Sequence, residues 1–189
     1  MIRRLHAVTA ALVLTAAGSL TIASPAEAEP LPITEGFEGT PSARWTTFTV
    51  PTITSVFLGN NPDIQPRSGT NVAMLTSYPD APAQASIFRT ITPDTTPSSV
   101  QVQVWVRRFA YQNENDESVQ VQFRVRQGGR TGRIISNMGR AVREVRVVRG
   151  TALWEVHNFH PARPAGTFTV EISAYLGTVI IDDLTITTT

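Results

Sequence analysis

The 189-residue chain carries 16 basic residues, all of them arginine, against 15 acidic ones, for a formal net charge of +1, and it contains no cysteine. The missing cysteine excludes a disulfide framework, a thiol nucleophile and a thiolate metal site. A domain of this kind must rely on its apolar core, on bound metal, or on both.

The first segment is read as a leader. Arg3 and Arg4 form a basic start, Ala7 to Leu20 is apolar and uncharged, and Ala26-Glu27-Ala28 is a small-x-small cleavage site. This is the three-part pattern of a secretory signal peptide, and the apolar run is too short to span a bilayer. The expected organisation is a signal peptide over 1–28 and a single secreted domain over 29–189, without stable membrane insertion after cleavage.

Proline then divides the chain. Ten prolines lie between Pro30 and Pro97, and none follows until Pro161. The first part therefore reads as short strands joined by turns, and the second as long strands with all their ladder donors present. Val100, Val102, Val104 and Val106 alternate with Gln101, Gln103, Trp105 and Arg107. Val119, Val121, Phe123 and Val125 alternate with Gln120, Gln122, Arg124 and Arg126. Phe168, Val170, Ile172 and Ala174 alternate with Thr167, Thr169, Glu171, Ser173 and Tyr175. Each pattern predicts a strand with one buried and one wet face, as in an antiparallel sheet. Asn113 to Ser118 and Gln127 to Gly132 hold the residues that turns require. In Arg133–Val148 the residues Ile134, Ile135, Met138, Val142 and Val145 would stack on a helix, but Gly139 and the β-branched content favour strand.

The last strand, Val179 to Ile186, has Asp182 and Asp183 inside an apolar run. By parity Asp182 shares a face with Ile180, Leu184 and Ile186. An inward carboxylate needs a cation or several donors to compensate it. Roughly ten strands without a helix predict an all-β, antiparallel two-sheet β-sandwich, a jelly roll.

Three pieces occur in order. Glu35-Gly36-Phe37-Glu38-Gly39 is followed by Trp45. Arg67-Ser68-Gly69-Thr70-Asn71 leads into Val72-Ala73-Met74-Leu75, and Ile181-Asp182-Asp183-Leu184 closes the set. Together they resemble the jelly-roll domains of carbohydrate-binding modules and galactose-binding-domain-like proteins, including MAM-like adhesion modules. The resemblance implies a structural calcium tying the first and last strands together beside the Ser-Gly turn. Calcium takes roughly six to eight oxygens. Glu35, Glu38 and Asp182 or Asp183 would supply carboxylates, and the Ser68–Asn71 turn would supply carbonyls. The competing reading makes Glu38 and Asp183 solvent-facing acids and lets Asp182 and Glu35 accept backbone N–H bonds.

Trp105 and Tyr175 each fall on the polar side of a strand. A flat ring beside planar hydrogen-bonding groups suits a sugar. Gln101, Gln103, Gln120, Gln122 and Arg124 would surround Trp105 if their two strands share a sheet face; the competing readings are that a crossing loop covers the ring or that the polar face is merely solvated. From Arg107 to Arg149 ten arginines stand against Glu114, Asp116, Glu117 and Glu144. Such an excess attracts an anionic polymer such as an acidic polysaccharide, or marks solvated strand faces. Few aromatics interleave it, which argues against nucleic acid. His157 and His160 lack the spacing of a zinc site. Glu155 and Glu171 stand on separate strands, and no nucleophile elbow is present. The expected function is a secreted non-catalytic module for an extracellular glycan or polymer, with a structural calcium. The alternatives are an adhesive sandwich acting through protein contacts and, second, a glycan-degrading enzyme.

Overall fold

A computed structural model describes residues 28–50, 54–77, 84–109, 119–142, 154–175 and 177–188. The leader pattern, the Asn113–Ser118 turn and residues 143–148 lie outside the described residues, Ala28 and no other leader position excepted. The described elements are eleven strands and one 3₁₀ turn at Pro41–Ala43: β1 (Ile33–Glu35), β2 (Thr46–Val50), β3 (Ser55–Gly59), β4 (Val72–Ser77), β5 (Gln84–Ile91), β6 (Val100–Phe109), β7 (Val119–Gln127), β8 (Ile134–Val142), β9 (Glu155–Phe159), β10 (Phe168–Tyr175) and β11 (Gly177–Thr188). The proline-rich part forms short strands and the proline-free part long ones, as their ladder donors require.

The strands make two antiparallel sheets. The first has the order β3-β4-β11-β6-β9, with β1 also on β11; the second has the order β2-β5-β10-β7-β8. The chain crosses repeatedly between them, giving the jelly-roll sandwich. Phe37, Trp45, Leu75, Ile87, Phe123, Phe168 and Ile172 fill the space between the sheets, each at most 2% exposed. Truncating one of the large rings there, as in Phe123→Ala, costs about 3–5 kcal/mol.

Two details depart from the sequence reading. β10 does not have a wet face: Thr169, Glu171 and Ser173 are as buried as the apolar residues between them. It is the middle strand of the second sheet, and long side chains from β5 and β7 close over it. In β11 the parity breaks. The ladder with β6 slips between Asp182 and Thr185, and Asp183 takes a left-handed φ of 45°. Ahead of the bulge, Ile180 lies in a small outer cluster with Ile64 and Val72. Ile181, Leu184 and Ile186 instead enter the main core. Asp182 is therefore buried on the outer side of the first sheet, and not beside Leu184 and Ile186 as strict alternation predicts.

Candidate functional site

β4 and β1 run end to end along the same flank of β11, the first pairing Gly177–Ile181 and the second Leu184–Ile186. The junction falls at Asp182 and Asp183. There the loop between β3 and β4 is fastened down. Asp182 Oδ2 accepts the N–H of Arg67 at 2.8 Å and of Ser68 at 3.1 Å, while its Oδ1 accepts the N–H of Asp183 at 2.8 Å. Asp183 accepts the Ser68 hydroxyl at 2.5 Å and pairs with the Arg67 guanidinium. Glu38 reaches the same turn, accepting the N–H groups of Thr70 and Asn71, both at 2.8 Å, and the Thr70 hydroxyl at 3.0 Å. Gly69 takes a left-handed φ of 59°, which favours glycine, and a Cβ there would crowd the Glu38 carboxylate.

Electrostatics follow the geometry. The backbone N–H groups of Asn71 and Thr70 hold the Glu38 carboxyl below its ordinary value. Burial pushes the Asp182 carboxyl up, outweighing the three backbone N–H bonds it accepts.

Glu35 is buried next to Phe37, as parity predicts, but belongs to a different group. Its oxygens accept Arg44 at 2.8 and 2.9 Å, the Phe37 N–H at 2.8 Å, the Trp45 indole at 3.1 Å and Arg89 at 3.2 Å. Two guanidiniums at that carboxylate exclude a further cation by like charge. The carboxylate oxygens of Glu38, Asp182 and Asp183 already receive N–H or O–H donors, and the Ser68 hydroxyl itself donates to Asp183. Among the described residues, no three His, Cys, Asp or Glu side chains are grouped to hold a metal. As arranged, this donor set does not fit calcium. It forms a hydrogen-bonded clasp between the two ends of the domain.

The expected sugar platform divides. Gln101, Gln103 and Trp105 are on β6, in the first sheet, whereas Gln120, Gln122 and Arg124 are on β7, in the second. The two sets face outward on opposite sides of the sandwich. Alternation tells which side of a strand is buried but not which sheet the strand joins. Trp105 stands opposite Asp182, and the Arg67 guanidinium lies 3.9 Å from its ring centroid. The clasped loop therefore covers it. Gln103 is engaged by Asn158 at 3.0 Å.

Tyr175 and β7 do come together. Tyr175 pairs with Gln120 across the ladder, and Glu171 with Arg124. Arg124 Nη2 donates to the Tyr175 hydroxyl at 2.9 Å and also contacts Gln122. On β8, Gly139 stands opposite Gln122, and a Cβ there would meet nothing within 4 Å. Here an open, shallow depression of about 300 Å³ is lined by Gln120, Val121, Gln122, Gly139 and Tyr175.

Further along β10 and β7 on the same face lies a network that alternation alone did not disclose. Glu171 Oε1 accepts Gln84 at 3.0 Å, Arg124 at 3.2 Å and the Ser173 hydroxyl at 3.2 Å; its Oε2 accepts Arg126 Nε at 2.7 Å. Ser86 and Ser173 join at 2.9 Å. Burial raises the Glu171 pKa, but the Arg126 hydrogen bond, the charges of Arg126 and Arg124, and Ser173 prevail, so the carboxyl sits below its ordinary value. The alternation that puts Glu171, Ser173 and Tyr175 on one face of β10, and Gln122 and Arg124 on one face of β7, was the available signal. Their pairing across β10 and β7 was not readable. Glu171 and Glu155 lie in different sheets and form no acid–base pair. His157 points inward beside Phe123, with ring centroids 5.8 Å apart. Burial lowers its pKa despite Glu155.

No protein-family model matches the sequence, and no curated protein matches it. Solved structures share the fold. A cleaved adhesin domain of Lys-gingipain from Porphyromonas gingivalis superposes with a TM-score of 0.58 at 15% identity, covering 85% of this chain and 99% of that one. The CBM22-1 xylan-binding domain of Paenibacillus barcinonensis Xyn10C gives 0.54 at 13% identity, over 82% and 92% of the two chains. The enzymatically active domain of tailspike protein 4 from bacteriophage CBA120 gives 0.53 at 15% identity; 82% of this chain aligns there but only 20% of that chain. The protein thus has the jelly-roll β-sandwich fold found in carbohydrate-binding modules and adhesin domains.

Proposed function

We propose that the protein is a secreted, non-catalytic glycan-binding module whose ligand face is the outer face of the second sheet. The observation that carries this reading is the cavity at Tyr175. A ring pinned by Arg124 borders an opening at Gly139, with the amides of Gln120 and Gln122 beside it. A sugar has an apolar C–H face and a hydroxyl rim, and this arrangement offers a partner to each. The fold shared with a xylan-binding domain supports the reading. The leader pattern over 1–28 supports export.

The test is binding of the purified protein to a panel of soluble polysaccharides, measured by affinity electrophoresis and calorimetry. Tyr175→Ala should weaken binding at least about tenfold, equivalent to about 1.4 kcal/mol. Gly139→Phe should fill the cavity and block binding without loss of thermal stability. Trp105→Ala should leave affinity unchanged. If no polysaccharide binds, the adhesive reading, acting through protein contacts, replaces this one.

A further inference from the structure

The second sheet is electrostatically one-sided. Its five strands contain a single acidic residue, Glu171. Two guanidiniums, Arg124 and Arg126, share that one carboxylate, and their side chains remain 16% and 19% exposed. One positive charge is therefore left uncompensated in the middle of the face, directly beside the Tyr175 cavity. A second lies at the far side. The turn between β7 and β8 brings Arg130 over the face, with its guanidinium 3.8 Å from the Phe48 ring centroid and 5.1 Å from that of Phe88. No ion pair among the described residues includes Arg130. Stacking on two rings holds its charge in place while leaving its planar N–H groups available for an oxyanion.

Register fixes the spacing. Phe48 pairs with Ser86, Ser86 with Ser173, Ser173 with Gln122 and Gln122 with Gly139. Phe48 and Gly139 thus end the same row of the sheet, four strand spacings or about 19 Å apart. A single sugar cannot touch both. Tyr175, Arg124 and Arg126 follow one another along β10 and β7, and Arg130 stands toward β5 and β2, so an extended chain running obliquely over the face meets Tyr175, then the Arg124–Arg126 pair, then Arg130.

We infer that the ligand of this face is an acidic glycan, a chain whose repeated carboxylate or sulfate groups meet Arg124, Arg126 and Arg130 while one of its rings sits against Tyr175. The inference rests on the glycan-binding reading above and adds the charge of the ligand and its minimum length. Solvent of low ionic strength screens such contacts least, so affinity depends on salt.

The experiment compares polygalacturonate, a sulfated glycan, galacturonic acid monomer, neutral xylan and neutral galactan at about 50 mM and about 500 mM salt. The acidic polymers should bind at low salt and weaken at least about tenfold at high salt. The monomer should bind far more weakly than the polymer. Arg130→Gln, at an exposed turn, should reduce acidic-polymer affinity at least about fivefold with an unchanged unfolding midpoint. The better of the carboxylated and sulfated polymers names the anion. Neutral xylan or galactan bound as tightly as the acidic chains, without salt dependence, would overturn the inference and leave the glycan reading standing. Binding of no polysaccharide would end both.

Discussion

The two outer faces of the sandwich use similar residues to opposite ends. On the first sheet, Asp182 and Glu38 accept backbone N–H groups of a loop, Asp183 holds its Ser68 hydroxyl and Arg67 guanidinium, and together they draw it down over Trp105. On the second, Glu171 points at side chains, and those side chains hold Tyr175 and two guanidiniums toward solvent. The acids of the first face fasten a loop over it, whereas Glu171 organises side chains of its own sheet and leaves that face open. Both strands read alike as alternating patterns, so the position of a loop, rather than the composition of a face, decides which side meets a ligand.

The comparison breaks most strongly at the carboxylates. Glu171→Ala should cost about 3–5 kcal/mol, because it leaves two part-buried guanidiniums without a counter-charge. It should also loosen Tyr175. Asp182→Ala should cost about 2–3 kcal/mol through the orphaned N–H groups of Arg67 and Ser68. Its effect should stop at the clasp and leave glycan affinity intact. Urea midpoints at constant m, read beside binding, separate the two.

Acid should separate them by sign. The Glu171 pKa is lowered on folding from an ordinary value of 4.5. Its contribution is present above that value and lost as pH falls through the folded one. The Asp182 pKa is raised from 3.8. Its contribution is fully present below that value and lost as pH rises through the folded one. Melting curves taken downward from about pH 5 should therefore be flatter for Glu171→Gln than for the parent and steeper for Asp182→Asn. The smallest expected effect is that of a chelator. A clasp made of N–H and O–H donors should keep its melting midpoint in EDTA, and a chelator-sensitive midpoint that Asp182→Asn abolishes would establish a calcium clasp instead.

Much of this was legible in the chain. Phe37 and Glu35 point inward as their spacing implies, and the Ser68–Asn71 turn does meet the Asp182-Asp183 pair. The platform around Trp105 failed for a physical reason. Period-two alternation fixes a residue's side of its own strand, but the sheet a strand joins is set by long-range pairing. β6 and β7 are neighbours in sequence and lie on opposite faces. The bulge at Asp183 reversed the parity of the last strand in the same way: one left-handed residue moved Leu184 and Ile186 to the other side from Asp182. The buried polar face of β10 was misread as wet because centrality in a sheet has no local signature. Gly139, read as a helix breaker, lies on the floor of the open depression beside Tyr175.

The most direct test of the open face is a titration of isotope-labelled protein with an acidic oligosaccharide, followed by amide chemical shifts. The account predicts shifts at Gln120, Gln122, Gly139 and Tyr175, extending toward Arg130. Shifts confined to Gln101, Gln103 and Trp105, on the clasped face, would contradict it.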